Sequence, residues 1–291
     1  MSTWVIYGPQ RLTIEDEVSS VDVWLAHGKV RVVGTDGPAR IDVRSVGRRG
    51  LTVTLEQGVL SVRHPLRRAW GDWFGVFWWF SAGRRNYAGD VILAVPSTAT
   101  GSLTVISGDV VASGLRRGAT LNVTSGSIRL MGLGGTVRAE TISGSIEAMG
   151  VAGDLGMKTV SGEITLAESS AERVVGRTIS GRITCDLDNP FAHDVRLDTT
   201  SGSITIRVPE DADLDVSLNA TSGRVTSAFP QVRGRSVPGV HSASGRIGTG
   251  SGTLSAYALS GSVSLLARPA VDRADLDAPD DQDAPDDQEE R

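Results

Sequence analysis

A short apolar phrase built around Ser-Gly recurs nine times in the sequence, and this repeat constrains the fold more than any other feature. Successive copies of its glycine lie 18, 18, 18, 19, 21, 21, 22 and 16 residues apart. A nearly fixed period with small insertions is typical of proteins that stack similar structural units along one axis. The nine glycines are Gly108, Gly126, Gly144, Gly162, Gly181, Gly202, Gly223, Gly245 and Gly261.

One copy of the phrase, residues 121–130, indicates what the repeat needs physically. Leu121 and Val123 precede Ser-Gly, Ile128 and Leu130 follow it, and polar residues alternate with them. A period of two indicates a half-buried β-strand, so the apolar residues are predicted to face inward. The alternation slips by one residue at Ser-Gly, which indicates a bend that glycine can accommodate. The residues of this copy predicted to face water are Asn122, Ser127 and Arg129.

These features predict an all-β fold. Val, Ile and Thr dominate the phrase, and its period is too short for a βαβ unit, which needs about 30 residues. Since one repeat cannot bury both of its sides, it must pack against another copy. We therefore predict a β-solenoid, a single-stranded parallel β-helix of about 18–22 residues per coil, with an antiparallel β-sandwich or prism as the alternative. Residues at the same distance from the repeat glycine would then form ladders along the stack. One predicted ladder consists of Ile128, Ile146, Ile164, Ile183 and Ile204, and another of Thr141, Thr159, Thr178 and Thr199.

The chain divides into three regions. Residues 1–90 are predicted to be degenerate repeats or an N-terminal cap, because His27-Gly28 and Gln57-Gly58 stand in repeat-like phrases. Residues 91–269 are the regular stack, and residues 270–291 are predicted to be a disordered acidic tail. The net charge is −5, but the tail from residue 271 holds ten acidic residues and two arginines, so the rest carries +3. That charge is too small to predict a nucleic-acid partner.

An aromatic segment at residues 69–82 interrupts the repeat pattern. It holds four of the six tryptophans and three of the five phenylalanines, with arginines on both sides. Aromatic rings with flanking cations are typical of segments that lie at the surface of an anionic membrane. Packing against the stack as a cap and pairing with a second copy of the chain remain open as alternatives. The residues predicted to contact the membrane or partner are Arg67, Arg68, Trp70, Trp73, Phe74, Phe77, Trp78, Trp79, Phe80, Arg84 and Arg85.

No constellation in the sequence indicates catalysis. Asp109 and Glu163 occupy the same place after Ser-Gly, but three coils would separate them by about 14 Å. The paired carboxylates of glycosidases need about 5–9.5 Å. Serine recurs at every bend, where it is expected to satisfy backbone groups rather than to act as a nucleophile. We therefore predict that the protein is not an enzyme.

The sequence likewise indicates no cofactor and no metal. Its single cysteine, Cys185, takes the inward position that Leu130 and Leu166 hold in other coils, which predicts a buried and unreactive thiol. Asp186, Asp188 and Asp194 lie near one loop, and a cation site there is a minor alternative. The four histidines are far apart in the sequence and lack metal-ligand spacing; they are His27, His64, His193 and His241.

The iterated phrase also resembles a known family. Residues 141–148 and 199–206, each containing Ser-Gly-Ser-Ile, are similar to the bacterial β-strand-repeat family called "putative adhesin". That family has no assigned function and is similar to the Toastrack group of envelope-associated β domains. The likeness covers about residues 90–267 and extends weakly to about residue 15. It implies an all-β solenoid-like domain in an envelope-stress or surface context, and it supplies no catalytic residues.

The sequence also leads to expectations about the location and function of the protein. The first residues lack the basic start and apolar run of a signal peptide, and no segment has the ~18–20 apolar residues of a membrane span. We expect a cytoplasmic protein, with peripheral attachment at the inner face of the membrane left open. We expect a non-catalytic scaffold or binding protein that contacts a membrane surface or a second copy through residues 69–82. No small-molecule ligand is indicated, and a solenoid that binds or cleaves glycans is the alternative.

Overall fold

The structure is a computed structural model that describes residues 1–64, 87–188, 194–237 and 240–268. Within these ranges the regular elements are 23 β-strands. The N-terminal strands are β1 (Ser2–Ile6), β2 (Gln10–Ile14), β3 (Ser20–Thr35), β4 (Ala39–Val46), β5 (Leu51–Glu56), β6 (Val59–Arg63) and β7 (Ala88–Pro96). The central strands are β8 (Thr100–Ser113), β9 (Ala119–Ser125), β10 (Ile128–Met131), β11 (Thr136–Ser143), β12 (Ile146–Met149), β13 (Ala152–Ser161), β14 (Ile164–Ser180), β15 (Ile183–Leu187), β16 (Asp194–Ser201) and β17 (Ile204–Pro209). The C-terminal strands are β18 (Leu214–Ser222), β19 (Val225–Ser227), β20 (Arg233–Val237), β21 (Val240–Ile247), β22 (Gly252–Ser260) and β23 (Val263–Arg268).

The central strands form parallel coils. In each coil a longer stretch of strand ends at Ser-Gly and a shorter stretch follows it. Thus β11 pairs in parallel with β9 and β13, while β12 pairs in parallel with β10 and β14. The longer stretches make one sheet, which we call the long-strand sheet, and the shorter stretches make the short-strand sheet. The predicted parallel β-solenoid is confirmed.

The predicted ladders are present in register inside the solenoid. Ile128 pairs with Ile146, Ile146 with Ile164, Ile164 with Ile183, and Ile183 with Ile204. All five side chains are buried. The threonine ladder from Thr141 to Thr199 also forms in register and is buried. Because the coils repeat every 4.8 Å or so, branched side chains of one kind pack on one another along the axis.

A short third side closes each central coil between its two sheets. Leu115, Leu133 and Val151 point inward there and are buried. The amide of Gly134 donates to the carbonyl of Leu115 at 2.8 Å, and the amide of Ala152 donates to the carbonyl of Leu133 at 2.8 Å. Parallel hydrogen bonding therefore continues around this turn, and the apolar core extends along the stack.

The two repeat-like phrases near the N-terminus have different structures. β3 forms a coil beside β8 in which His27-Gly28 pairs with Ser107-Gly108, as its repeat-like sequence predicts. The prediction that Gln57-Gly58 is another repeat bend is wrong. β5 and β6 pair antiparallel, and Gln57 and Gly58 form the turn of a β-hairpin, with φ of 48° and 76°.

The C-terminal coil is inserted into the stack instead of being added to its end. β22 pairs in parallel with both β16 and β18, and β23 pairs in parallel with both β17 and β19. The copy at Ser244-Gly245 is not a coil corner, so that part of the repeat assignment is wrong. It lies in β21, which pairs antiparallel with β18 and β20. The other eight repeat glycines have positive φ, as a tight bend requires.

One coil near the N-terminal end is interrupted. β3 pairs in parallel with β6, where Trp24 faces Arg63, and with β7, where His27 faces Ala88. β6 and β7 therefore take the places of the longer and shorter strands of a single coil. The described chain ends at His64 on one side and resumes at Tyr87 on the other, at the corner that Ser-Gly occupies elsewhere.

Candidate functional site

The residues predicted to contact a membrane or partner, from Arg67 to Arg85, lie outside the described residues. The structure does describe the base of this segment, formed by His64 on one side and Tyr87 on the other. The two rings meet edge to face, with their centroids 5.8 Å apart. The amide of Ala26 donates to Nδ1 of His64 at 3.1 Å, and the amide of His27 donates to the carbonyl of Tyr87 at 3.2 Å. The guanidinium of Arg49 lies 5.3 Å from the centre of the Tyr87 ring.

His64 is a buried histidine at the base of the aromatic segment. Its side chain is only 3% exposed. Burial lowers the pKa of His64 to about 4; the polar backbone of Ala88 opposes this shift, and nearby His27 adds to it. His27 and His64 are far apart in the sequence, but the fold brings them to the same corner of the stack. The burial of His64 depends on a long-range strand pairing and had no signal in the local sequence.

A second surface feature lies two residues before the repeat glycines. Ile142, Val160 and Ile179 occupy this position on neighbouring coils and are 55%, 42% and 54% exposed. Thr124 and Thr200 continue the row on the two sides. We call these five residues the outer ladder. The alternation within each strand places them outward, so sequence reasoning had the signal for this surface but did not single it out.

Charged side chains flank the outer ladder and neutralise one another across coils. On the strand side, Nζ of Lys158 lies 2.8 Å from Oε1 of Glu140, and Nε of Arg177 lies 3.3 Å from Oδ2 of Asp198. Beyond the Ser-Gly bend, Arg182 and Glu163 approach to 3.6 Å. All of these pairs are solvent-exposed, so each contributes little to stability. The outer ladder is thus an apolar strip between charged rows, and Arg196, which also pairs with Asp198, lies beside it.

An open groove of about 810 Å³ runs along the outer ladder. Its far end reaches the inserted C-terminal coil, where Tyr257 and Leu259 are 41% and 43% exposed. Single exposed apolar residues are normal on protein surfaces, but a contiguous row in a groove is typical of a contact surface. The groove is lined mainly by the apolar and hydroxyl side chains of the long-strand sheet.

The carboxylates weighed as catalytic groups have separate partners. Oδ1 of Asp109 accepts hydrogen bonds from the hydroxyl of Ser127 at 2.8 Å and from its amide at 3.2 Å. These bonds, chiefly that of the hydroxyl, lower the pKa of Asp109. Ser127 is accordingly half-buried, whereas the sequence predicted that it faces water. Glu163, three coils away, pairs with Arg182 instead.

Cys185 and its neighbouring aspartates form no reactive centre. Cys185 lies between Leu166 and Ile206 in register and is buried, as predicted, and burial raises its pKa to about 12. Asp186 is bound by Arg207 and Arg268, and the carboxylate of Asp188 by Arg268. Although burial opposes the shift, hydrogen bonds from the two arginines hold the pKa of Asp186 below its usual value. These acids are thus occupied by cations of the chain itself.

The described ranges contain neither a metal-binding cluster nor a membrane-spanning helix. Groups of three or more His, Cys, Asp or Glu side chains that could hold a metal ion do not occur there. Nor does any helix in those ranges have the length and hydropathy needed to cross a membrane.

Solved structures similar to this chain include three from bacteria, all at low identity. A "putative cell adhesion protein" from Clostridium sporogenes ATCC 15579 is 10% identical, with 89% of this chain and 100% of that chain covered and a TM-score of 0.28. A "putative adhesin" from Parabacteroides distasonis ATCC 8503 is 9% identical, with 88% and 95% covered and a TM-score of 0.25. A "putative lipid binding protein" from the same organism is 9% identical, with 89% and 97% covered and a TM-score of 0.26.

No curated protein matches the chain. The family model described as Toastrack DUF4097 matches residues 52–266, well over half of the sequence. This match agrees with the resemblance carried by the Ser-Gly phrase, and the chain belongs to the Toastrack DUF4097 family.

Proposed function

We propose that the protein is a non-catalytic binding scaffold that contacts a membrane surface through the aromatic segment, residues 69–82. The observation that carries the proposal is the base of that segment. His64 and Tyr87 touch each other at one corner of a continuous β-stack, so both ends of the intervening chain are held side by side. A segment tethered in this way can meet a partner without disturbing the coils that hold it.

The composition of the segment supports a lipid surface as the partner. Tryptophan and phenylalanine rings favour the interfacial region of a bilayer, and cationic side chains favour anionic headgroups. Arg67 and Arg68 precede the rings, and Arg84 and Arg85 follow them. Attachment would then be peripheral, and we place it at the inner face of the membrane.

Two other functions have less support. Self-association through the same segment would use the rings but would not need the flanking arginines. A glycan-binding or glycan-cleaving solenoid would need a row of aromatic rings or a close carboxylate pair on the coils. On the described coils, Tyr257 is the exposed aromatic residue beside the groove, and Asp109 and Glu163 each have a different partner.

The test is co-sedimentation of the full chain with vesicles, together with analytical ultracentrifugation. We expect binding to vesicles containing anionic lipid, little binding to neutral vesicles, and weakening as salt rises, because screened charge contributes to the contact. Trp78→Ala/Trp79→Ala should lose most of the binding. Met131→Ala/Met149→Ala is the matched control, since it removes exposed apolar side chains, 48% and 47% exposed, from the short-strand sheet.

The other outcomes decide between the alternatives. The chain could instead self-associate in a concentration-dependent way that salt does not weaken. If the tryptophan variant loses this association, the partner of the aromatic segment is a second subunit and not a membrane. A chain that ignores anionic vesicles, with a tryptophan variant that is merely less stable, would overturn the proposal and leave the segment as a cap.

A further inference from the structure

The long-strand sheet continues beyond the coils as an antiparallel extension. β18 pairs in parallel with β22 and antiparallel with β21, and β21 pairs antiparallel with β20. In the part of the chain that the structure describes, β20 pairs with β21 on one side only, so it is an edge strand. Ser217 of β18 is exposed and lies opposite Ser244 of β21, which lies opposite Arg233. Opposed residues share a face of the sheet, and so do alternate residues of one strand, so Arg233 and Arg235 both project from the outer face.

Cations dominate this end of the molecule. Residues 216–270 contain five arginines and no acidic residue, which gives them a net charge of +5. Arg246 and Arg268 pair with carboxylates of the solenoid. Arg233 and Arg235 are exposed, and neither has a carboxylate partner among the described residues. We call these two arginines, on a strand whose outer backbone groups are unpaired, the arginine edge.

The acidic tail has the opposite charge. From residue 271 it contains ten acidic residues and two arginines, a net charge of −8. Three pairs of its acidic residues are separated by one residue, as Arg233 and Arg235 are. An extended chain can therefore present both carboxylates of a pair to both guanidinium groups. These pairs are Asp275 and Asp277, Asp281 and Asp283, and Asp287 and Glu289.

The acidic tail can reach the arginine edge. β23 ends at Arg268 and pairs with β19, and a Cα atom of β19 lies within 8 Å of a Cα atom of β20. With about 3.3 Å per residue along a strand and about 4.8 Å between strands, every residue of β20 is within about 40 Å of Arg268. The chain from Arg268 to Asp281 can span about 43 Å when extended. The acidic pairs from Asp281 onward are thus within reach of Arg233 and Arg235.

We infer that the acidic tail docks on the arginine edge of the same chain. The inference assigns a partner to a surface that the proposed membrane contact does not use, at the other end of the stack from the aromatic segment. A second copy of β20 is a poorer occupant, because antiparallel pairing centred on Gly234 would place Arg233 opposite Arg235 of that copy. Docking of the tail would cover backbone groups that could otherwise pair with the edge strand of another chain. Because exposed ion pairs are individually weak, this contact need not add measurably to folding stability.

Lysine substitutions make this contact measurable, because the chain contains only two lysines. Arg233→Lys/Arg235→Lys adds two amines while keeping the charge. A water-soluble carbodiimide then joins each amine, through an amide bond, to a carboxylate that touches it. Arg116→Lys/Arg117→Lys is the matched control. Those two arginines are also exposed without a carboxylate partner among the described residues, and about five coils, or about 24 Å, separate them from β23.

We expect mass spectrometry to find the acidic tail joined to positions 233 and 235 about fivefold more often than to positions 116 and 117. The excess should disappear at ~1 M salt, where the Debye length is about 3 Å. In a mixture of isotope-labelled and unlabelled chains, each cross-linked product should come from one kind of chain, because the contact lies within a single copy. The same results are expected in the Trp78→Ala/Trp79→Ala background, so they test the tail separately from the membrane proposal.

Three results would overturn the inference. One is equal cross-linking at the two pairs of positions. Another is cross-linking between labelled and unlabelled chains, which would assign the arginine edge to the tail of a second copy. The third is binding to anionic vesicles that Arg233→Glu/Arg235→Glu abolishes, while the tail shows no preference for these positions. That result would assign the arginine edge to the membrane.

Discussion

Gly144 lies directly against the backbone of Gly126 in the neighbouring coil. A Cβ added to Gly144 would stand 1.9 Å from the carbonyl oxygen of Gly126, and the φ of Gly144 is 148°. Glycine is therefore required at this position for two reasons, the backbone conformation of the bend and the close approach of the next bend. The same contact recurs down the stack, so the Ser-Gly phrase reports a structural need of the solenoid rather than a chemical site.

Gly144→Ala should therefore destabilise the protein by about 3 kcal/mol or more, because neither backbone can move without disturbing its own coil. Urea unfolding followed by circular dichroism measures the loss. Gly132→Ala is the control: Gly132 also has positive φ, 57°, but a Cβ there would meet nothing within 4 Å. Only the conformational cost of about 1–2 kcal/mol should remain. Equal losses in the two variants would contradict the close-approach explanation.

Ile164→Ala should cost about 2–5 kcal/mol, since it opens a cavity in the middle of the buried isoleucine ladder. The same unfolding experiment applies. Arg129→Ala is a suitable comparison, because the Arg129 side chain is 58% exposed and its pair with Glu147 lies at the surface. It should change the free energy of unfolding by less than about 1 kcal/mol. A small loss for Ile164→Ala would mean that the core can close around the missing atoms.

The sequence was sufficient to predict the solenoid and the contents of its core. Equal offsets from the glycine placed Ile146 on Ile128 and put Cys185 inside, because parallel coils keep one register. The order of the coils could not be predicted, because every coil keeps this same register and can therefore pair with any other. Val263 packs between Ile204 and Val225 as well as any repeat residue would, so the local phrase does not specify its neighbours.

The errors and omissions at the surface have different physical causes. Gln57-Gly58 has the local sequence of a repeat bend, but the choice between a hairpin and a coil depends on which strand pairs with β5. The burial of His64 depends on residues 38 positions away in sequence. For the outer ladder, strand alternation already places the apolar Val160 outside, but nothing in the local sequence distinguishes a contiguous contact surface from single exposed apolar residues.

The acidic tail should be dispensable for folding. Residues 270–291 lie outside the described residues, and the prediction rests on their composition, which offers too little apolar surface to offset the entropy of ordering them. Truncation after residue 270 should change the melting temperature by no more than about 2 °C. The truncation retains Arg268, which binds Asp186 and Asp188. A large fall in the melting temperature would show that the tail packs on the solenoid.

Stability should fall as the pH drops from 7 to 4 because His64 is buried in its neutral form. Its folded pKa is about 4, below the value of 6.5 for an unperturbed histidine. The unfolded chain therefore binds a proton first, and stability is lost as pH falls below about 6.5. The loss from this group should be about 2 kcal/mol at pH 5 and about 3 kcal/mol at pH 4. Protonation would also remove the acceptor that Nδ1 offers to the amide of Ala26.

His64→Asn is the variant that isolates this effect. The amide oxygen of asparagine can accept the hydrogen bond from Ala26 but does not titrate. Urea unfolding at several pH values should show a smaller loss between pH 6.5 and 5 for His64→Asn than for the unmodified chain. Parallel losses in the unmodified chain and in His64→Asn would show that other groups cause the acid sensitivity and that His64 is protonated without cost to the fold.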